Sequence, residues 1–344
     1  MKPKLLCDTA GMTEERWLEC RMHGPDGKIP YTIGGSDIAA IFGVSPWTTP
    51  LDLYMMKKGK KPAPPKDNKD QLMLGHWLEP IVADMYAHKT GNTVINDTNM
   101  YQHADHPYAL ADFDRRIIRK SDGEEGILEC KTTSYRKSDA WADERYPLYY
   151  DFQLRYYLSV ADVNFGSFAC LWGTNPETDF AMPSLERDMA KENDIFEMCD
   201  RFIWGLEHDV PPDMNDVAPK LALQSLARIY GADKTLGDLM LPTKLEKNVQ
   251  RLYELQENID SEKEKIKKLE EEAEAHCVRI ANVMQAYEHA VLETTSNKYL
   301  IDYVTRITRR ADSGLLKTKY PSVYDEVLKT SESRKVKIIE KTAV

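Results

Sequence analysis

The stretch from residue 109 to residue 131 constrains this chain more than any other. Ala109-Leu110-Ala111-Asp112-Phe113-Asp114 reads as a strand, and Ile117-Ile118-Arg119 continues it. Ser121-Asp122-Gly123 is a turn, and Gly126-Ile127-Leu128-Glu129-Cys130-Lys131 is the next strand. Side chains alternate along a strand, so Glu129 and Lys131 point to one face. A carboxylate from the neighbouring strand then reaches the same face. Asp112 and Asp114 both qualify, because they lie two apart and share a face. An E-x-K pair on a strand is also common as a plain surface ion pair, and spacing alone leaves that reading open.

Two carboxylates held together repel, and one pKa rises unless a cation joins them. A hard divalent ion suits such a site, and magnesium ordinarily uses one or two carboxylates with water and substrate phosphate. The backbone carbonyl of Cys130 lies between the two side chains and can add a ligand. A lysine beside them would orient the attacking water or stabilise charge building on a phosphate. The expected cofactor is therefore Mg2+, as two ions, with Mn2+ able to substitute.

Helical patterns surround this centre. Residues 12–22 read as a short helix capped by Thr13, followed by a loop with Gly24, Pro25, Gly27 and Pro30. Gly34-Gly35-Ser36-Asp37 leads into a helix over 38–42 that Gly43 ends, and residues 50–58 are helical again. A basic, proline-rich loop spans 57–69. Residues 70–91 form an amphipathic helix with Leu74, Leu78, Ile81, Val82 and Met85 on its apolar side. Glu79 lies beside that stripe, and a carboxylate there needs a partner or a metal. It is placed to hold the metal or its waters. A helix over 148–160 carries Gln153 and Tyr157, residues 164–172 read as a buried strand, and a long helix is expected from about 184 to 207.

Residues 242–292 differ in kind. They contain no glycine, and no proline after Pro242. Leu245, Leu252, Ile259, Ile266, Ala273, Ile280 and Tyr287 recur every seven residues, with Leu255, Leu269 and Val283 as partial companions. This pattern gives one long helix or a helical hairpin with a narrow seam. The favoured packing is against the chain's own tail, and the alternative is docking of a partner or self-assembly. A strand over 299–310, a short helix near 320–330 and a closing strand near 334–339 make a small α+β tail. A length of 344 residues leads one to expect roughly two domains, and the division read from the pattern is 1–235, 242–292 and 296–344.

The net charge of −10 does not resemble a nucleic-acid binder, but phosphates are met by local patches. Residues 296–344 carry 11 basic and 6 acidic groups, a basic tail able to touch a polyanion. The six cysteines form no C-x-x-C pair, which argues against a disulfide framework, a zinc site or an iron–sulfur cluster. No apolar run approaches the roughly 18 residues of a membrane span. The apolar part of the start is too short for a signal peptide. The expectation is a soluble, intracellular protein. There is no G-x-x-x-x-G-K-[ST] loop and no H-E-x-x-H.

The order of these pieces resembles the YqaJ-type viral recombinase family, which groups with phage λ exonuclease in the PD-(D/E)XK nuclease superfamily. Trp17-Leu18-Glu19-x-Arg21 and Gly34-Gly35-Ser36-Asp37-Ile38-Ala39-Ala40 resemble its N-terminal signature, with 22–33 as an inserted loop. Gly75-x-x-Leu78-Glu79-Pro80, ending in Gly91, is similar to its second motif. Ala111-Asp112-Phe113-Asp114 corresponds to A-N-x-D, which assigns the metal to Asp114 rather than Asp112. Leu128-Glu129-Cys130-Lys131-Thr132-Thr133 is similar to the E-I-K-T-T core, and Trp141, Pro147 and Gln153-x-x-x-Tyr157 match the helix after it. Glu186-x-Asp188, Arg309-Arg310-x-Asp312, Tyr320-Pro321 and Arg334 are similar to the continuation in longer members. Arg115 stands where the family has glycine.

The resemblance implies a restriction-endonuclease-like α/β core, a central mixed sheet flanked by helices. It implies hydrolysis of DNA phosphodiesters as a 5′-end exonuclease that leaves 3′ single strands for phage-type recombination. Glu79, Asp114, Glu129, Lys131 and Gln153 carry over to catalysis, and Arg21, Ser36 and Tyr157 to DNA binding. Arg21 and Ser36 would take the 5′-phosphate, and Gln153 and Tyr157 would support Lys131 or the substrate. Double-stranded DNA, a single-strand annealing protein and two further copies in a ring trimer are the implied partners, in the cytoplasm of a bacterial host. An endonuclease or nickase with the same site, and a non-catalytic DNA-binding or assembly module, are the competing readings.

Overall fold

The computed structural model describes residues 2–60, 69–308, 312–328 and 336. The chain forms two compact units, Met1–Ala232 and Asp233–Val344. The first unit runs β1 (Lys4–Asp8), α1 (Glu14–His23), α2 (Gly35–Ile41), α3 (Pro50–Lys57), α4 (Lys69–Thr90), β2 (Thr93–Ile95), β3 (Asn99–Gln102), β4 (Leu110–Asp112), β5 (Arg115–Ile118) and β6 (Glu125–Thr132). It continues with α5 (Leu148–Ala161), β7 (Phe165–Leu171), β8 (Phe180–Ala181), β9 (Ser184–Glu186), α6 (Met189–Glu207) and α7 (Pro219–Tyr230).

The centre is a mixed sheet in the order β2-β5-β6-β7-β8, with β9 also on β7. β6 is antiparallel to β5 and parallel to β7. A parallel neighbour requires a crossover, and α5 supplies it. The two-residue period of β6 then sorts its side chains. Ile127 enters the cluster that holds Leu154 of α5 and Phe168 of β7. Leu128 and Cys130 enter a second cluster with Val82, Ala83 and Tyr86 of α4. Helices thus cover both faces, the α/β layering expected from the sequence.

Several expectations change. The run 109–119 is not one strand. β4 belongs to a three-stranded sheet in the order β1-β3-β4, and β5 to the central sheet. The chain changes sheet at Phe113-Asp114. The buried Phe113 ring stacks on Tyr101 with centroids 5.4 Å apart, and Asp114 turns to accept the Cys130 amide at 2.7 Å. In α4 the buried face is rotated from the expected stripe: Val82 is buried as expected, together with Ala83 and Tyr86, Leu78 and Met85 are half-buried, and Leu74 and Ile81 are exposed. The helix expected from 184 begins only at Met189, because Ser184–Glu186 pairs with β7 and Asp188 caps α6 by accepting the amides of Ala190 and Lys191. Of the basic loop, residues 61–68 lie outside the described residues.

The second unit holds α8 (Glu246–Met284), β10 (His289–Glu293), β11 (Lys298–Asp302), α9 (Ser313–Lys319) and α10 (Pro321–Val327). α8 is one continuous helix of 39 residues rather than a hairpin. It ends short of the expected limit, and β10 forms a hairpin with β11 instead. Its seam residues Ile259, Ile266 and Ile280 are exposed, so among the described residues the tail does not cover them. The strand expected over 299–310 stops at Asp302, and the single helix near 320–330 is replaced by α9 and α10, which meet at Tyr320-Pro321. Arg309, Arg310, Arg334 and, apart from Val336, the closing strand at 334–339 lie outside the described residues. The six cysteines are unpaired. Among the described residues no helix is long and apolar enough to cross a membrane.

Candidate active site at the end of the central strand

β6 places Glu129 and Lys131 on the α5 side of the sheet, since Leu128 and Cys130 occupy the α4 side. Glu129 is 1% exposed. Its Oε1 accepts from Gln153 Nε2 of α5 at 2.7 Å and from Lys131 Nζ. Gln153 also donates to Tyr157 Oη one turn on, at 3.1 Å. Lys131 lies over the Tyr150 ring, 4.8 Å from its centroid. Asp114 joins from the bend between β4 and β5, held by the Cys130 amide. Bending, rather than strand alternation, brings it to the end of β6.

Asp112 is engaged elsewhere. Its Oδ2 accepts from the Trp17 indole at 2.7 Å. Glu79 of α4 is half-buried and reaches the site through Arg115, whose Nη1 lies 2.6 Å from Glu79 Oε1. The same nitrogen donates to the Asp114 carbonyl. Arg115 therefore ties α4 to the Asp114 bend.

The electrostatics follow from burial. Burial first, and the Glu129 charge second, push the Asp114 carboxyl well above its ordinary range. Burial likewise raises Glu129, against the pull of Lys131. For Lys131 burial opposes the charge, but Glu129 and Asp114 outweigh it and hold the ammonium protonated. One atom is left over. Glu129 Oε2 is buried without a hydrogen-bond partner, the single such side-chain atom among the described residues. A buried carboxylate oxygen in that state carries the full desolvation cost, of order 1–3 kcal/mol or more for a charged group. A divalent cation would satisfy it, so the residues fit the magnesium expected from the sequence. Among the described residues no three His, Cys, Asp or Glu side chains form a metal cage. Magnesium does not need one, since it keeps several waters.

A second group adjoins the first. Ile33 bridges to Ala109 in parallel fashion, and Leu110 donates to the Ile33 carbonyl at 2.9 Å. This seats the residues after the 22–33 loop beside β4. Arg21 Nη2 then donates to Ser36 Oγ at 2.9 Å, with its guanidinium 4.8 Å from the Trp17 ring centroid. Both glycines before Ser36 are there for close approach. A Cβ on Gly34 would collide with the Arg21 guanidinium, and one on Gly35 with the Tyr157 ring. Tyr157 is thus shared: it meets Gln153 on one side and Gly35 on the other. The structure brings Asp114, Glu129, Lys131, Gln153 and Tyr157 together, sets Glu79 beside them through Arg115, and pairs Arg21 with Ser36.

Sequence reading missed the Arg115–Glu79 pair, the Trp17–Asp112 bond and the Tyr150 ring over Lys131. The first two join residues 36 and 95 positions apart, with no local signal. Tyr150 was findable, since it lies three residues before Gln153, on the same helix face.

The mixed sheet thus carries two buried carboxylates and a lysine at the end of its central strand, the arrangement that the resemblance led us to expect. Residues 16–164 match the family model of the YqaJ-like viral recombinase domain. The chain is 28% identical to the uncharacterised protein YqaJ of Bacillus subtilis (strain 168), over 98% of each chain. Among solved structures it is similar to an alkaline exonuclease, LHK-Exo, from Laribacter hongkongensis, at 16% identity and a TM-score of 0.47, covering 58% of this chain and 94% of that one. A phage-related exonuclease from Haemophilus somnus 129PT gives 11% identity and a TM-score of 0.36, covering 51% and 91%.

Proposed function

We propose that the chain is a magnesium-dependent deoxyribonuclease. In this reading it degrades linear double-stranded DNA from 5′ ends and leaves 3′ single strands for an annealing protein. The observation that carries the reading is the unpartnered Glu129 Oε2, buried beside Asp114 and Lys131. Asp114, Glu129 and the Cys130 carbonyl would hold the ion, with Glu79 acting through water. When bound, the ion supplies Lewis-acid stabilisation of the phosphate and a more acidic water. Mn2+ would substitute, and a two-ion arrangement suits in-line displacement.

The chain's own groups do the rest. Lys131 is held protonated, so it acts by donating hydrogen bonds and charge to the phosphate oxygens or to the attacking water. Gln153 fixes the Glu129 carboxylate from the α5 side, so its free oxygen keeps one direction. Arg21 and Ser36 would grip the terminal 5′-phosphate, as charge-assisted donors do. Tyr157 would keep the two groups in register. A ring trimer in a bacterial cytoplasm, encoded by a phage or prophage, completes the proposal.

The test is digestion of end-labelled linear DNA beside covalently closed circles, with Mg2+. The expected result is loss of the linear form from its 5′ ends and survival of the circles. Rapid cutting of circles would replace the exonuclease with an endonuclease. Asp114→Ala and Glu129→Ala should abolish hydrolysis and leave DNA binding in place. Loss of activity in Asp112→Ala with survival in Asp114→Ala would overturn the ligand assignment.

A further inference from the structure

A line of aromatic rings runs from solvent to the catalytic lysine. Trp47 lies in the loop between α2 and α3 and is 55% exposed. Its ring meets Tyr149 edge-on, with centroids 5.1 Å apart. Tyr149 meets Tyr150 edge-on at 4.5 Å. Tyr150 then carries Lys131 Nζ over its face at 4.8 Å. Tyr149 and Tyr150 are only partly buried. The indole is not part of any of the three hydrophobic clusters of buried residues.

We propose that Trp47 and Tyr149 form a stacking track for unpaired bases of the DNA strand whose backbone reaches Lys131. The inference rests on the nuclease reading above. A nuclease that degrades any sequence needs contacts that tolerate every base. Stacking provides them, because each base has a π face. The chain's −10 charge makes such a grip useful, since ring contacts do not depend on phosphate neutralisation. The continuity of the rings with the lysine selects the substrate strand as the occupant. An unpaired base beyond the reacting phosphate would meet Tyr149 first and Trp47 next.

The experiment measures binding of a 5′-phosphorylated oligonucleotide with an unpaired end to the full chain, in Ca2+ to hold turnover low. Fluorescence anisotropy would compare an intact end with one whose terminal nucleotides are abasic. The wild type should bind the abasic end about tenfold more weakly than the intact one, the size of loss typical of one base–aromatic contact. Trp47→Ala should lose a similar factor on the intact end and almost nothing further on the abasic one. Such non-additivity identifies a direct contact. Trp47→Phe should recover most of the loss. The slope of log affinity against log salt should stay unchanged, as no phosphate contact is removed. Equal affinity of wild type and Trp47→Ala, or fully additive losses, would overturn the track. So would a change of oligomeric state in Trp47→Ala with base dependence intact, which would make Trp47 a contact between copies. If the wild type itself neither binds nor cuts DNA, the nuclease reading fails first.

Discussion

At the residue scale the unusual groups are the two raised carboxyls. Their pKa values stand above the ordinary range because burial disfavours charge and each faces another acid. A carboxyl raised in the folded state binds its proton more tightly there than in the unfolded chain. Its stabilising effect is full below the ordinary carboxylate range and is lost as pH rises through the folded value. The metal-free protein should therefore weaken between acid and neutral pH. Asp114→Asn removes one of the acids and keeps an oxygen for the Cys130 amide. It should stabilise the metal-free protein at neutral pH by about 1 kcal/mol, an effect that vanishes in acid. Mg2+ should raise the melting temperature of the wild type and leave that of the variant unmoved. Thermal unfolding across pH, with and without Mg2+, reads both effects, and a variant less stable at every pH would contradict the charge argument. Lys131→Ala is the complementary case. It should keep the Mg2+-induced rise and lose turnover by about a hundredfold or more, the size expected for a preorganised donor to transition-state charge.

At the element scale, α7 is fixed to α3 by one buried carboxylate. Asp52 accepts from Ser225 Oγ at 2.7 Å and from Arg228 Nη2 at 2.5 Å, while Thr49 donates both its amide and its hydroxyl. Burial opposes ionisation, but these donors outweigh it and hold the carboxyl below its ordinary range. Asp52→Ala strands two hydroxyls and an arginine, and should cost about 3 kcal/mol, the low end for a buried pair because the Arg228 side chain is 38% exposed. The sign is opposite to that at Asp114. This contribution is complete above the unfolded carboxylate range and fades as pH falls through the folded value. Urea unfolding of wild type and variant should thus converge in acid. A constant gap at all pH values would show that packing, not charge, is lost.

The same scale shows what the sequence carried. Gly43 and Gly91 ended their helices, Thr13 capped α1, and the E-x-K spacing put Glu129 and Lys131 on one face, because these are local rules. The bend at Phe113-Asp114 was hidden, since β4 and β5 each alternate well and only their different partners separate them. β9 falls inside a run with the pattern of a helix, because it is three residues long and abuts the Asp188 cap. The buried face of α4 is hidden for a different reason. Its first half is apolar on nearly every side, so periodicity alone could not say that only Val82, Ala83 and Tyr86 meet the sheet.

At the scale of the whole molecule, the two units are stabilised in different ways. Met1–Ala232 surrounds a continuous core that reaches from Ile33 to Ile229. In Asp233–Val344 the long α8 buries only Met284. Its support includes exposed pairs at i,i+3 spacing, such as Arg251–Glu254 at 2.9 Å, Asp260–Lys263 at 2.9 Å and Glu262–Lys265 at 2.7 Å. Each is worth a few tenths of a kcal/mol, about 0.2–0.5, and is weakened by salt. A helix held this way melts gradually, whereas a packed core melts cooperatively. The full chain at low concentration should therefore lose part of its far-UV helical signal on warming before its near-UV aromatic signal changes. High salt should advance the first phase alone. A chain ending at residue 232 should lack that first phase and keep the second transition within a few degrees. Coincident loss of both signals in the full chain, independent of salt, would mean that the Ile259, Ile266 and Ile280 seam is covered in solution. Its dependence on protein concentration would then tell whether a second copy covers it.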